Sequence, residues 1–87
     1  MHVEVVFALP DRQELVALEI EEGATVGAAI ERSGIAERFP GHDLDAAPVG
    51  IWGRIVGRGA RVGDGDRIEI YRSLHKDPQT ARRERAG

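Results

Sequence analysis

The amino-acid sequence predicts a two-layer α+β domain in which one helix packs over one sheet. Three observations lead to this prediction. Residues 2–9 and 14–20 carry apolar side chains at every second position, as strands do. Residues 25–33 follow with apolar side chains at helical spacing. Residues 67–71 alternate again after an Asp-Gly-Asp turn, so the element order is hairpin, helix and further strands.

The first hairpin is the clearest early element. Val6 and Ala8 lie on the other face of the first strand and are apolar as well. We therefore expect this strand to lie inside the sheet, covered on one face and with a neighbour on each edge. Residues 10–13 begin with a Pro-Asp pair, which favours a tight turn. The second strand, residues 14–20, is expected to be half-buried.

The helix has recognisable ends. The Thr25 hydroxyl can accept a hydrogen bond from a free N–H group at a helix start, and Gly34 can adopt the left-handed conformation that ends a helix. These signals predict a helix over about residues 25–33, although Gly27 weakens it by about 1 kcal/mol.

The middle of the chain predicts a long loop and then irregular strands. Residues 35–48 have no sustained period, and we expect their large apolar side chains to pin the loop to the core. Residues 49–56 predict one strand with a bend or bulge after Trp52, and a short extended piece is expected near residues 60–62. The large apolar side chains of the loop over residues 35–48 are Ile35, Phe39 and Leu44.

The C-terminal part differs from the rest in charge. Residues 1–71 hold seven basic and thirteen acidic side chains, a net charge of −6, whereas residues 72–87 hold five basic and two acidic, a net charge of +3. We expect a domain over residues 1–72 and a basic tail over residues 73–87, partly helical from Asp77 or disordered. Since the acidic body repels phosphate, nucleic-acid binding is not favoured, and weak RNA binding through the tail stays an alternative.

Composition narrows the chemistry. The chain has no cysteine, which excludes disulfides, thiolate metal sites and cysteine nucleophiles. The histidines lack metal-ligand spacing and the serines lie in no nucleophile motif, so we expect no metal, no cofactor and no enzymatic activity. The amino terminus does not resemble a signal peptide and no uncharged run approaches a bilayer span, which favours a cytoplasmic protein without membrane insertion. The three histidines of the chain are His2, His42 and His75, and its two serines are Ser33 and Ser73.

Seven segments along the chain carry a family resemblance: Val3–Pro10, Ser33–Ile35, Phe39-Pro40, Val49–Arg54, Ile68–Arg72, Asp77-Pro78 and Arg82-Arg83. Together they resemble the RnfH family of bacterial proteins. The resemblance implies a ubiquitin-like β-grasp fold, in which the first and last strands lie side by side and parallel at the centre of a mixed four- to five-stranded sheet crossed by one helix. Ser73 departs from the pattern, because the family usually has Pro there.

The resemblance also implies a function. It indicates a protein-interaction module, associated in some bacteria with a membrane electron-transport complex. Ferredoxins of the same fold are excluded because they hold iron through cysteine. Sulfur carriers and modifiers end in a Gly-Gly pair, whereas this chain ends in Ala86-Gly87, so activation at the single terminal glycine stays the alternative.

Aromatic and arginine side chains are the candidate protein-binding residues. Trp52 and Tyr71 can anchor a partner with a large contact area at low entropic cost. We expect Tyr71 to face outward, whereas Trp52 can belong either to the core or to the surface. Arg54, Arg67 and Arg72 can frame such a surface with bidentate contacts to partner carboxylates.

Overall fold

The structure, a computed structural model, describes residues 1–72. In that range one helix and a short 3-10 helix accompany a five-stranded sheet of order β2-β1-β5-β3-β4. The expected helix in the tail lies outside the described residues. The elements are β1 (His2–Leu9), β2 (Arg12–Glu19), α1 (Val26–Ser33), the 3-10 helix (Ile35–Arg38), β3 (Val49–Ile51), β4 (Arg54–Val56) and β5 (Arg67–Ile70).

The sheet is mixed, with its first and last strands adjacent. β1 runs parallel to β5 and antiparallel to β2, and the remaining pairs are antiparallel. The prediction of a central first strand with a neighbour on each edge is confirmed. β2 begins at Arg12, so the turn of the first hairpin is shorter than predicted and contains only Pro10 and Asp11.

One face of the sheet carries the core. Val3, Val5 and Phe7 of β1 are fully or almost fully buried there, together with Ile68 and Ile70 of β5. α1 packs across this face and contributes further side chains, so the strands' alternation decides which residues the helix covers. The helix side chains in the core are Val26, Ala29 and Ile30.

Both ends of α1 are capped as predicted. The Ala28 N–H donates to Thr25 Oγ1 at 3.2 Å, and Gly34 adopts the left-handed conformation with φ of 70°. The Gly27 N–H donates to the Arg58 carbonyl at 2.9 Å. A Cβ at Gly27 would lie 3.4 Å from that carbonyl oxygen, an ordinary van der Waals distance.

The long loop after α1 is pinned to the core as predicted. Ile35, Phe39 and Leu44 are all buried, and the Phe39 ring meets Phe7 edge-on with centroids 4.7 Å apart. The Arg58 guanidinium donates to the carbonyls of Leu44 and Ala47. The carbonyl oxygens of this loop have no strand partner within residues 1–72, and these hydrogen bonds satisfy two of them.

The prediction for residues 49–56 was wrong in one respect. Instead of one strand with a bend, these residues form the hairpin β3–β4, with Ile51 opposite Arg54. Trp52 and Gly53 form the two-residue turn, with φ of 50° and 84°, and two positive values are typical of a type I′ turn. The short extended piece near residues 60–62 is a single bridge between Thr25 and Arg61.

Candidate docking surface

Within residues 1–72 nothing covers the sheet face opposite α1, and the row of residues across its centre is largely apolar. Strand register aligns one residue from each strand in a row across this open face, with Glu69 at the centre. Ile55 at one end is 61% exposed and Leu15 at the other is 41% exposed. In strand order the row is Leu15, Val6, Glu69, Gly50 and Ile55.

A groove of about 450 Å³ crosses the open face. Glu69 is the only charged residue among those that line it. The groove therefore has apolar walls and one carboxylate, which is the usual composition of a recognition site. The lining residues are Val6, Ala8, Gly53, Ile55, Glu69, Ile70 and Tyr71.

Trp52 stands beside the groove, at the tip of the β3–β4 turn. Its side chain is 60% exposed, which answers the question of core or surface. The Arg67 guanidinium carbon lies 5.3 Å from the centroid of its ring, a cation–π distance. Arg67 Nε also donates to Glu4 Oε1 at 3.2 Å, so the arginine is held between a carboxylate and an indole.

Tyr71 and Glu69 are joined by a short hydrogen bond. Tyr71 Oη donates to Glu69 Oε1 at 2.6 Å, and the Gly53 N–H donates to the same oxygen at 2.7 Å. Burial of the phenol raises the pKa of Tyr71 to about 12, with the hydrogen bond to Glu69 and the charge of that carboxylate as further causes. At neutral pH the tyrosine is therefore a fixed hydrogen-bond donor.

Gly50 lets the tyrosine ring lie flat across the sheet. A Cβ at this position would lie 2.5 Å from Tyr71 Oη and 2.6 Å from the Arg54 carbonyl oxygen. No side chain fits there unless both neighbours move. The glycine therefore leaves room for the Tyr71 ring beside β4.

The structure brings together three of the five predicted binding residues. Trp52, Arg67 and Tyr71 all lie on the open face. Arg54 is opposite Ile51, which packs against the core, so alternation directs it to the other face. Arg72 is exposed beyond the end of β5.

Sequence reasoning missed the centre and the rim of the groove. Glu69 alternates with the core residues of β5, which does place it on the same face as Tyr71. Ile55 and Val6 join them only through the pairing of β4 with β3 and of β1 with β5. That pairing is a long-range property, so no local pattern showed it.

Among residues 1–72, no group of three or more His, Cys, Asp or Glu side chains could hold a metal ion. No helix in that range has both the length and the apolar character needed to cross a bilayer.

Solved structures define the class of the protein. SAMP1 from Haloferax volcanii has a TM-score of 0.62 at 18% identity, over 80% of this chain and 92% of that one. A putative molybdopterin converting factor, subunit 1, from Pyrococcus furiosus has a TM-score of 0.57 at 26% identity, over 80% of this chain and 94% of that one. With the central parallel pair and the crossing helix, the fold is that of a ubiquitin-like β-grasp protein.

Sequence comparison narrows the class to a family. A family model described as RnfH family Ubiquitin matches residues 1–85. Protein RnfH of Pseudomonas entomophila (strain L48) is 48% identical over 88 residues, which cover 99% of this chain and 86% of that protein. The chain belongs to the RnfH family, as its sequence segments predicted.

Proposed function

We propose that this protein is a non-enzymatic interaction module that binds another protein on the open face of its sheet. The observation that carries the proposal is Trp52, an exposed indole held at positive φ beside an apolar groove. Tryptophan, tyrosine and arginine are the residue types that most often dominate binding energy, and all three meet on this face.

The backbone at Trp52 strengthens the argument. A type I′ turn favours Asn, Asp or Gly, and the left-handed conformation costs other residues about 1–2 kcal/mol. With most of its side chain exposed, Trp52 recovers little of this cost by burial. Strain that folding does not explain is typical of positions kept for function.

The polar groups of the open face support the non-enzymatic part of the proposal. Glu4 is paired with Arg67, and Glu69 accepts hydrogen bonds from Tyr71 and Gly53. These hydrogen bonds hold the side chains of the open face in place. The arrangement fits a rigid docking platform.

Membership of the RnfH family suggests which partner this protein binds. The resemblance to RnfH proteins implies an accessory role at a membrane electron-transport complex, with the protein docking as a peripheral component. We therefore propose a component of such a membrane complex as the partner.

A quantitative pull-down tests the proposal. The tagged full-length chain should recover a partner from its host under native conditions, and Trp52→Asn, which suits the turn, should lose it. Glu31→Gln is the matched control, because this exposed side chain lies on α1, on the other side of the sheet. Equal recovery by all three proteins, or no recovery by any, would contradict the proposal.

A sulfur-carrier or modifier role is the second candidate. It is favoured by the likeness to the putative molybdopterin converting factor subunit. With ATP and the host's activating enzyme, this role requires an adenylate or thiocarboxylate at the C-terminal carboxylate of the protein, visible as a mass increase. An unchanged mass would remove it.

A further inference from the structure

One carboxylate oxygen of Glu69, in the groove on the open face, has no partner among residues 1–72. Glu69 Oε1 accepts two hydrogen bonds, from Tyr71 Oη and the Gly53 N–H. Within residues 1–72, Glu69 Oε2 accepts none and Glu69 forms no salt bridge. Since the first oxygen holds the carboxylate in a fixed orientation, the second is presented to whatever enters the groove.

Among the residues that the structure describes, no cation is paired with Glu69. The cation nearest along β5, Arg67, is already paired with Glu4 and stacked on Trp52. None of the other residues lining the groove carries a charge. Residues 1–71 as a whole carry a net charge of −6, so both the groove and the body complement a positively charged ligand.

The geometry of the groove indicates the form of that ligand. The groove lies on a sheet face, where the backbone N–H and C=O groups of the inner strands are already paired, so an added strand would find no ladder there. A helix needs no such partners. It binds through side chains at positions i, i+3 and i+4, which suit a short groove with walls of Val6 and Ala8 on one side and Ile55 on the other.

From these observations we infer that the groove binds an amphipathic helix of the partner protein whose apolar face carries one Lys or Arg, and that this cation bonds Glu69 Oε2. The inference rests on the proposed function and specifies its ligand. Apolar side chains of the helix fill the groove, and the central cation selects the register. An acidic helix of equal hydrophobicity is rejected.

Three matched peptides test the inference. Each is a helical peptide of about 16 residues, without Trp or Tyr, with one apolar face whose central position is Lys, norleucine or Glu. Trp52 is the only tryptophan in the chain and adjoins the groove, so its fluorescence reports binding to the full-length protein. The Lys peptide should bind about tenfold more tightly than the norleucine peptide, since charge-assisted hydrogen bonds are the stronger kind. The Glu peptide should bind more weakly than either.

Protein variants distinguish a specific contact at Glu69 from attraction by the net negative charge of the protein. Glu69→Gln keeps an oxygen for Tyr71 and Gly53 but removes the charge, so it should abolish the advantage of the Lys peptide and leave the norleucine peptide unchanged. Glu31→Gln makes the same change in net charge on the far side of the molecule and should retain the advantage.

Two outcomes would overturn the inference. The first is equal affinity of the Lys and Glu peptides, or a Lys advantage that survives Glu69→Gln. The second is that no peptide binds at millimolar concentration. If a Trp52-dependent partner is still recovered in the pull-down, the docking function stands and only its helical, basic ligand is wrong. If no such partner is recovered, the function itself fails.

Discussion

The two faces of this sheet are built from the same strands but differ in how far their apolar side chains are exposed to water. Under α1, Phe7 and Ile68 are closed off from water. On the open face, Val6 is only half-buried, and Ile55 and Trp52 are mostly exposed. The first set therefore stabilises the fold, whereas the second set contributes little to folding and is available for contact with another molecule.

The largest expected effect separates the two faces by stability. Phe7→Ala should lower the free energy of unfolding by about 3–5 kcal/mol, because it leaves a cavity beside Phe39 in the core. This is a large share of the roughly 4–13 kcal/mol expected for a chain of this length. Leu15→Ala, on the open face, should cost less than about 1 kcal/mol. Urea denaturation measures both, and similar losses would mean that the faces do not differ.

Gly50→Ala should have the next largest effect, because the residue lies directly against Tyr71, which lines the groove. The added methyl group collides with Tyr71 and with the backbone of β4, and overpacking of this kind costs about 1–3 kcal/mol. Gly57→Ala is the control, since nothing lies within 4 Å of a Cβ there. Equal midpoints of the two variants in urea would show that Tyr71 does not lie across Gly50.

Trp52→Asn should sharpen the comparison by moving stability and binding in opposite directions. Asn tolerates the left-handed turn, so unfolding should cost about 0.5 kcal/mol more after the lost Arg67 contact is counted. Trp52→Ala removes the indole without relieving the backbone and should not stabilise the fold. A loss of stability in Trp52→Asn would show that the indole serves folding.

The smallest expected effect is a titration on the open face. Tyr71 is the only tyrosine, so absorbance of the folded chain against pH should show its pKa near 12, against about 10 in urea. Since the folded value is the higher one, its contribution to stability is complete below pH 10 and is lost as the pH rises towards 12. Glu69→Gln should lower this pKa by removing the neighbouring charge. A folded-state pKa near 10 would contradict the hydrogen bond to Glu69.

Local sequence patterns predicted most of the fold. The alternation of β1 and β5 and the caps at Thr25 and Gly34 are short-range signals, and the structure confirms them. The β3–β4 hairpin was read as one strand because a Trp occupies a turn position that usually holds Asn or Gly. The same tryptophan made the turn hard to predict and is the residue on which the proposed docking function rests.

The candidate site was only partly predictable. Trp52 and Tyr71 could be chosen by residue type, because large aromatic side chains are frequent at interfaces. Glu69 and Ile55 could not, because their role depends on which strands pair and in which register. Arg54 shows the same limit, since a shift of one position along β4 directs a side chain to the other face.

Photo-crosslinking in the host cell tests the difference between the two faces most directly. A photoreactive amino acid is placed either at Ile55 on the open face or at Glu31 on α1, and the crosslinked proteins are identified by mass spectrometry. The account predicts one dominant protein adduct from position 55 that Trp52→Asn abolishes, and no such adduct from position 31. The same adduct from both positions, or an adduct from position 31 alone, would contradict it.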